Sequence, residues 1–190
     1  MSLKKAFLHF KTITHHRHLV MKGCFKVGLY RQGLLHDLSK YSWTEFRVGA
    51  KYYQGTRSPN NAEREATGLS TAWLHHKGRN KHHYEYWIDY NVDSKPGEYP
   101  LIGMKMPVKY VVEMFIDRIS ASKNYLGDKY TDDAAYKYYL KGHGHYLIHP
   151  ESDALLSKLL KMNAEKGEEA TFAYIREFVL KKHKKHQSIS

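Results

Sequence analysis

Cysteine is nearly missing from this chain: Cys24 is the single thiol in 190 residues. No internal disulfide can form. A thiol between Gly23 and Phe25, in an apolar-periodic stretch, reads as a small buried hydrophobe before it reads as a nucleophile. Long hydrophobic runs are also missing. None approaches the roughly 18–20 residues of a membrane span, so no membrane partner is expected. The basic start, Met1-Ser2-Leu3-Lys4-Lys5, is not followed by the apolar core of a signal peptide, and a cytoplasmic protein is the expectation. Neither GxxxxGK(S/T) nor GxGxxG occurs, which argues against the common nucleotide folds. Period-two alternation and internal repeats are absent too.

Acid is scarce relative to base. Asp plus Glu number 19 against 31 Lys plus Arg, giving +12 with histidines neutral, and this favours an anionic partner. Part of the excess is the closing run Lys181-Lys182-His183-Lys184-Lys185-His186, which reads as a solvated end before a nucleic-acid arm. Histidine, by contrast, is abundant at 14 residues. Lysine explains the charge but not the histidine, and histidine is the commonest metal ligand.

Nearly every segment reads as helix, so the expectation is one all-α domain, a bundle of seven to nine helices over residues 1–190. Residues 3–11 form a basic amphipathic start, and 13–31 a longer helix ended by Gln32-Gly33. Residues 34–40 are a short apolar turn or helix. Ser42-Trp43-Thr44-Glu45 is a capping box that opens a helix to about residue 53. A loop over 54–61 precedes a helix over 62–77, which Gly78 breaks, and a short helix is expected over 82–90. Residues 91–106 hold Pro96, Gly97, Pro100 and Gly103 and make a candidate lid or substrate loop. Pro107 opens a helix that Gly127 stops. Further helices follow over 131–141, 150–166 and 168–185.

The chemistry centres on Leu34-Leu35-His36-Asp37-Leu38-Ser39-Lys40. A carboxylate among leucines must be paired, coordinated or protonated, because an unpaired buried charge costs several kcal/mol. Asp117 lies in the apolar stretch Val111–Ile119, one helical turn from Glu113, and two like charges at that spacing call for a cation. Arg118, a lysine or a metal would serve. Upstream, His16 is in phase with Ile13, Val20, Cys24 and Val27. His18 is in phase with Met21 and Phe25, on the flank of that face. Downstream, His76 shares a face with Leu69, Ala72 and Trp73, while His75 points about 100° away.

This order of residues resembles the HD-domain superfamily of metal-dependent phosphohydrolases. In that superfamily a helical bundle presents H…HD…D to one divalent ion, and some members add histidines for a second. The spacing here is 20 residues from His16 to His36 and 80 from Asp37 to Asp117. Three segments (residues 33–41, 72–87 and 114–122) are also similar to a small bacterial and phage family of HD-like helical proteins, with a core at about 13–125 and C-terminal helices over 131–186. The resemblance implies that His16 or His18, together with His36, Asp37 and Asp117, holds a metal. His75, His76 and His83 would serve a second ion or proton transfer, and Asp37 or Asp117, with His76, would act in catalysis. Mixed imidazole and carboxylate ligands suit Mn, Fe, Zn or Ni, as one ion or two. A phosphate-containing small molecule, such as a nucleotide, would be the substrate, met by Lys40, Lys77, Arg79, Asn80, His83 and Arg118. The alternatives are a non-enzymatic, basic nucleic-acid-binding protein using Tyr84, Tyr86 and Trp87, and a metal-bound scaffold without activity.

Overall fold

The computed structural model describes residues 2–181. Helix α1, Leu3–Lys26, runs unbroken through the point where the sequence suggests two helices. Its buried positions, His9, Ile13, His16, Val20 and Cys24, follow one another at three- and four-residue steps and make a single inward stripe. A Cβ at Gly23 would stand 2.6 Å from Ile116 Cγ2, so glycine at this position lets α1 lie close against α6, Val108–Leu126.

Between them in sequence come α2, Tyr30–Leu35, a 3-10 turn at Leu38–Tyr41, and α3, Trp43–Lys51. Of the expected capping box at α3 only the N-cap half forms: Ser42 Oγ accepts from the Glu45 backbone N–H at 3.4 Å, while the Glu45 side chain turns away to His75 and His76 and the Ser42 N–H donates to the Ser39 carbonyl. The helix expected over 62–77 is two helices, α4, Pro59–Thr67, and α5, Thr71–Lys77. They separate at Gly68, where φ is +81°.

The helix expected over 82–90 is also revised. A 3-10 turn at Tyr84–Trp87 leads into strand β1, Ile88–Tyr90, which pairs antiparallel with β2, Leu101–Gly103. The segment read as a lid therefore folds back as a hairpin. It seats Gly103 against the backbone of residues 147–149.

Helices α7, Ala134–Gly142, and α8, Pro150–Tyr174, complete eight helices among the described residues. Gly167 sits inside α8 with φ 78° and ψ 172°, dividing it where the sequence places a boundary, and a wider turn at Ile175–Leu180 follows. The all-α expectation holds, with one two-stranded hairpin added. The run beyond Lys181 lies outside the described residues.

One apolar core joins Val20 and Cys24 of α1, Val112, Phe115 and Ile116 of α6, Leu156 and Leu160 of α8, and Ile175 beyond it. The C-terminal helices thus share a core with the N-terminal ones. Arg176 donates to the Lys26 carbonyl at 3.0 Å, and Glu168 pairs with Lys26 and Lys123, tying the second half of α8 to α1 and α6. No described helix is long and apolar enough to cross a membrane.

Candidate metal centre

The His36-Asp37 pair falls where α2 ends. His36 is extended, with ψ 127°, and Asp37 is left-handed at φ 54° and ψ 22°. Asp37 is the single described non-glycine residue at positive φ. That reversal turns two consecutive side chains inward, which a helix cannot do. Asp and Asn tolerate the left-handed region better than most residues, and strain of this kind concentrates at functional sites.

The two carboxylate oxygens of Asp37 face different groups. Oδ2 stands 3.4 Å from His36 Nε2 and 3.7 Å from His16 Nε2. Asp117 Oδ1 closes that group, 2.9 Å from His16 Nε2 and 3.5 Å from His36 Nε2. Oδ1 faces the other way, 3.3 Å from His76 Nε2 and 3.5 Å from His82 Nε2. His83 Nε2 lies 2.9 Å from His76 Nε2. Two ligand sets result: His16, His36, Asp37 and Asp117, and Asp37, His76, His82 and His83, each with its atoms within 4.8 Å of one another.

These atoms do not satisfy one another. His16 Nε2, His36 Nε2, His82 Nε2 and both Asp37 oxygens are buried without a hydrogen-bond partner, although oppositely polar atoms stand close by. The 2.9 Å approach of His16 Nε2 to Asp117 Oδ1 is out of line for a hydrogen bond. Ligands at about 2.0–2.2 Å from one ion lie roughly 3–3.5 Å apart and point at the ion rather than at each other. Lys40 Nζ approaches Asp37 Oδ2 and leaves the other four without a partner, and that many buried polar atoms unpaired in one place would be costly without a further cation.

The outer nitrogens of His36, His76 and His82, by contrast, each meet a carboxylate. Glu113 Oε1 accepts from His36 Nδ1 at 3.0 Å and faces His82 Nδ1 at 3.3 Å. Glu45 accepts from His76 Nδ1 at 2.8 Å and from His75 Nδ1 at 2.6 Å. A carboxylate on Nδ1 fixes the tautomer and leaves Nε2 as the lone-pair donor, the usual support of a metal-bound histidine.

Burial opposes the charge on Asp37, but His36, Lys40 and His76 outweigh it and hold the carboxyl well below its usual range. Asp117 is likewise held low against burial, by the rings of His16 and His36 beside it. For His83, burial and the neighbouring His82 and His76 push the pKa well down, so its ring is neutral. Burial also lowers His16. Against burial, Asp37 and the neighbouring acids raise His36 well above the usual imidazole value, and Asp37 and Glu45 raise His76, so a metal bound there would displace protons from these two rings. Carboxylates and imidazoles together form the donor set that Mn, Fe, Zn or Ni takes.

Several residues predicted from sequence sit elsewhere. His18 is exposed on the outer side of α1, because the flank it shares with Met21 and Phe25 faces away from the bundle. His75 meets Glu45 and not the ligand cluster. Asn80 is 8% exposed and spends its amide on Ser39 Oγ and the His76 carbonyl, both at 2.8 Å, so it braces the site and does not line the cleft. Arg79 is exposed and bonds the His75 carbonyl at 3.2 Å. Arg118 points about a quarter turn from Asp117, over the rings of Tyr146 and Tyr139 at 5.6 and 5.9 Å. Lys77 is half-buried and, like Arg79 and Arg118, does not line the cleft beside the ligands.

Lys40 is where the sequence suggests, with Nζ 2.5 Å from Asp37 Oδ2. Together with His76 and His83 it lines a cleft of about 110 Å³ that opens on the second ligand set. His82, Glu45 and Glu113 are the residues that sequence reasoning misses. His82 and His83 are adjacent on a turn, where no periodicity signals burial. Glu45 reads as a helix cap, and Glu113 only as a charge near Asp117.

A family model described as a family of unknown function (DUF5662) matches residues 5–162. No curated protein and no solved structure matches the chain.

Proposed function

The chain belongs to the family of unknown function DUF5662, a membership that assigns it no reaction, and from its site we propose a binuclear metal-dependent phosphohydrolase of HD-like architecture. The observation that carries this reading is Asp37, whose two oxygens face two separate histidine sets in one buried cluster beside a cleft. A carboxylate so placed could help hold two ions. His16, His36 and Asp117 would complete one ion's ligands, and His76, His82 and His83 the other's. Bound divalent ions supply Lewis acidity, lowering the pKa of a water and offsetting phosphoryl charge.

The protein's own groups do the rest. Lys40 is the single Lys or Arg lining the cleft, and it meets a phosphoryl oxygen as a point charge. Asp117, anionic and largely buried, faces the ligand set through Oδ1 and would orient a water through its other oxygen. Glu113 and Glu45 keep the rings of His36, His82 and His76 oriented, so that no ring turns during turnover. His76 serves as a ligand in this arrangement, because its Nδ1 is committed to Glu45.

The reading is tested by metal analysis of purified protein together with phosphomonoesterase and phosphodiesterase assays. We expect about two ions of the Mn–Zn series per chain, and hydrolysis that Asp37→Asn and Asp117→Asn reduce by at least about 100-fold. Metal-free protein with unchanged activity in these variants would sink the proposal. Salt-sensitive nucleic-acid binding that survives Asp37→Asn would favour the non-enzymatic alternative.

A further inference from the structure

Away from the ligands, the cleft is lined almost without charge. Its outer wall is formed by His9, Thr12, Tyr53, Ser58, Asn60 and Tyr125, each offering a neutral hydrogen-bonding group. Lys40 is the single lysine or arginine among the lining residues. Glu45 is the single acid, and both its oxygens are taken by His75 and His76.

His9 is the group that nothing else in the site employs. It lies on α1 two turns before His16, about 10 Å along the helix axis. It is 5% exposed, and its Nδ1 is buried without a partner. Its other edge rests on α3, where a Cβ at Gly49 would stand 2.2 Å from His9 Nε2. The absence of a side chain at position 49 is what admits the ring. Burial, with Lys40 nearby, lowers the His9 pKa to about 4, so the imidazole is neutral and can both donate and accept. At about 110 Å³ the cleft is well below the roughly 300–1,000 Å³ of pockets that take drug-sized ligands.

We propose that the cleft takes the phosphate monoester of a small hydroxylated carbon skeleton, with the phosphate at Lys40 and the metal ligands and a hydroxyl of the skeleton on His9. This rests on the phosphohydrolase reading. Hydrolysis adds water across the P–O bond and returns the free alcohol and inorganic phosphate. One lysine suits one phosphate. A second phosphate or a carboxylate at the outer wall would meet no cation, and a nucleoside would overfill the space. A hydroxyl finds at Nδ1 of the neutral imidazole an acceptor in one tautomer and a donor in the other.

The test uses the metal-loaded full chain, with binding measured by calorimetry and turnover by phosphate release. The probes are glycerol 3-phosphate, ethyl phosphate, adenosine monophosphate and inorganic phosphate. Glycerol 3-phosphate should bind and turn over at least about tenfold better than ethyl phosphate or the nucleotide, because a site built for a hydroxyl rejects an analogue lacking it. His9→Leu should erase the preference over ethyl phosphate while metal content and ethyl phosphate binding stay as in wild type. His9→Gln, which keeps a neutral donor and acceptor, should retain most of the preference. Gly49→Ala, whose Cβ displaces the ring without altering it, should lower the preference in the same direction. Equal or tighter binding of the nucleotide, or a preference that survives both His9→Leu and Gly49→Ala, overturns the inference alone. Failure of every phosphate to bind, inorganic phosphate included, removes the phosphohydrolase reading and this inference with it.

Discussion

A histidine kept neutral inside a fold has a cost that appears only in acid. Between pH 6.5 and about 4 the unfolded chain binds a proton at His9 that the folded chain refuses. Folding stability from this residue is therefore complete above pH 6.5 and is lost as pH falls through that window, by up to about 3 kcal/mol. Urea unfolding of wild type and His9→Gln at about pH 7 and about pH 4 measures it. Wild type should lose about 3 kcal/mol more than the variant between the two conditions. Parallel losses would show that His9 is protonated in the fold.

Reading single residues from sequence succeeds here where helical phase applies. His16 follows the inward stripe of α1, and Asp117 shares a face with Glu113. It fails for His18, because phase shows which residues are neighbours and not how wide the buried stripe is. It fails for His82 because two adjacent ligands on a turn leave no periodic trace.

At the scale of elements, the ligands come from α1, α5, α6 and two turns, and the two acidic braces come from α3 and α6. Glu113 stands behind one histidine of each ligand set, His36 and His82. Glu45 stands behind His76 alone among the ligands. Glu113→Gln should therefore weaken both ions, while Glu45→Gln should weaken one of them, by about 10–100-fold in each case. Competition with a chromophoric chelator resolves the two binding events, and the same pattern in both variants would refute the assignment of braces.

Element boundaries with a local chemical marker are legible in the sequence. Ser42 caps α3, Pro107 precedes α6, and Gly167 divides α8. The break at Gly68 is hidden because the apolar pattern continues across it. The hairpin is hidden because three-residue strands are too short to display alternation.

Across the whole molecule, charge and core play separate parts. The +12 excess lies mostly outside the cleft, where it raises the local concentration of anions without holding any one of them. The apolar core runs from Val20 to Val179 and binds the C-terminal helices to the ligand-bearing ones. Fold class is legible at this scale because helical periodicity and turn residues repeat along the chain. The pairing of two ligand sets is not, because it depends on which way a single carboxylate faces once five segments have met.

The left-handed backbone at Asp37 restricts what this position can ever become. Most L-residues pay about 1–2 kcal/mol to enter that region, and glycine, asparagine and aspartate enter it most readily. Of those three, aspartate alone brings two anionic oxygens. Glutamate has the charge but not the backbone tolerance, and glycine has the tolerance but not the charge. Backbone geometry and coordination thus intersect at one amino acid. A saturation library at codon 37 selected for metal retention should return aspartate alone, whereas selection for folding in chelator should enrich glycine and asparagine. Recovery of glutamate under metal selection would show that the turn is more pliable than its dihedral angles imply.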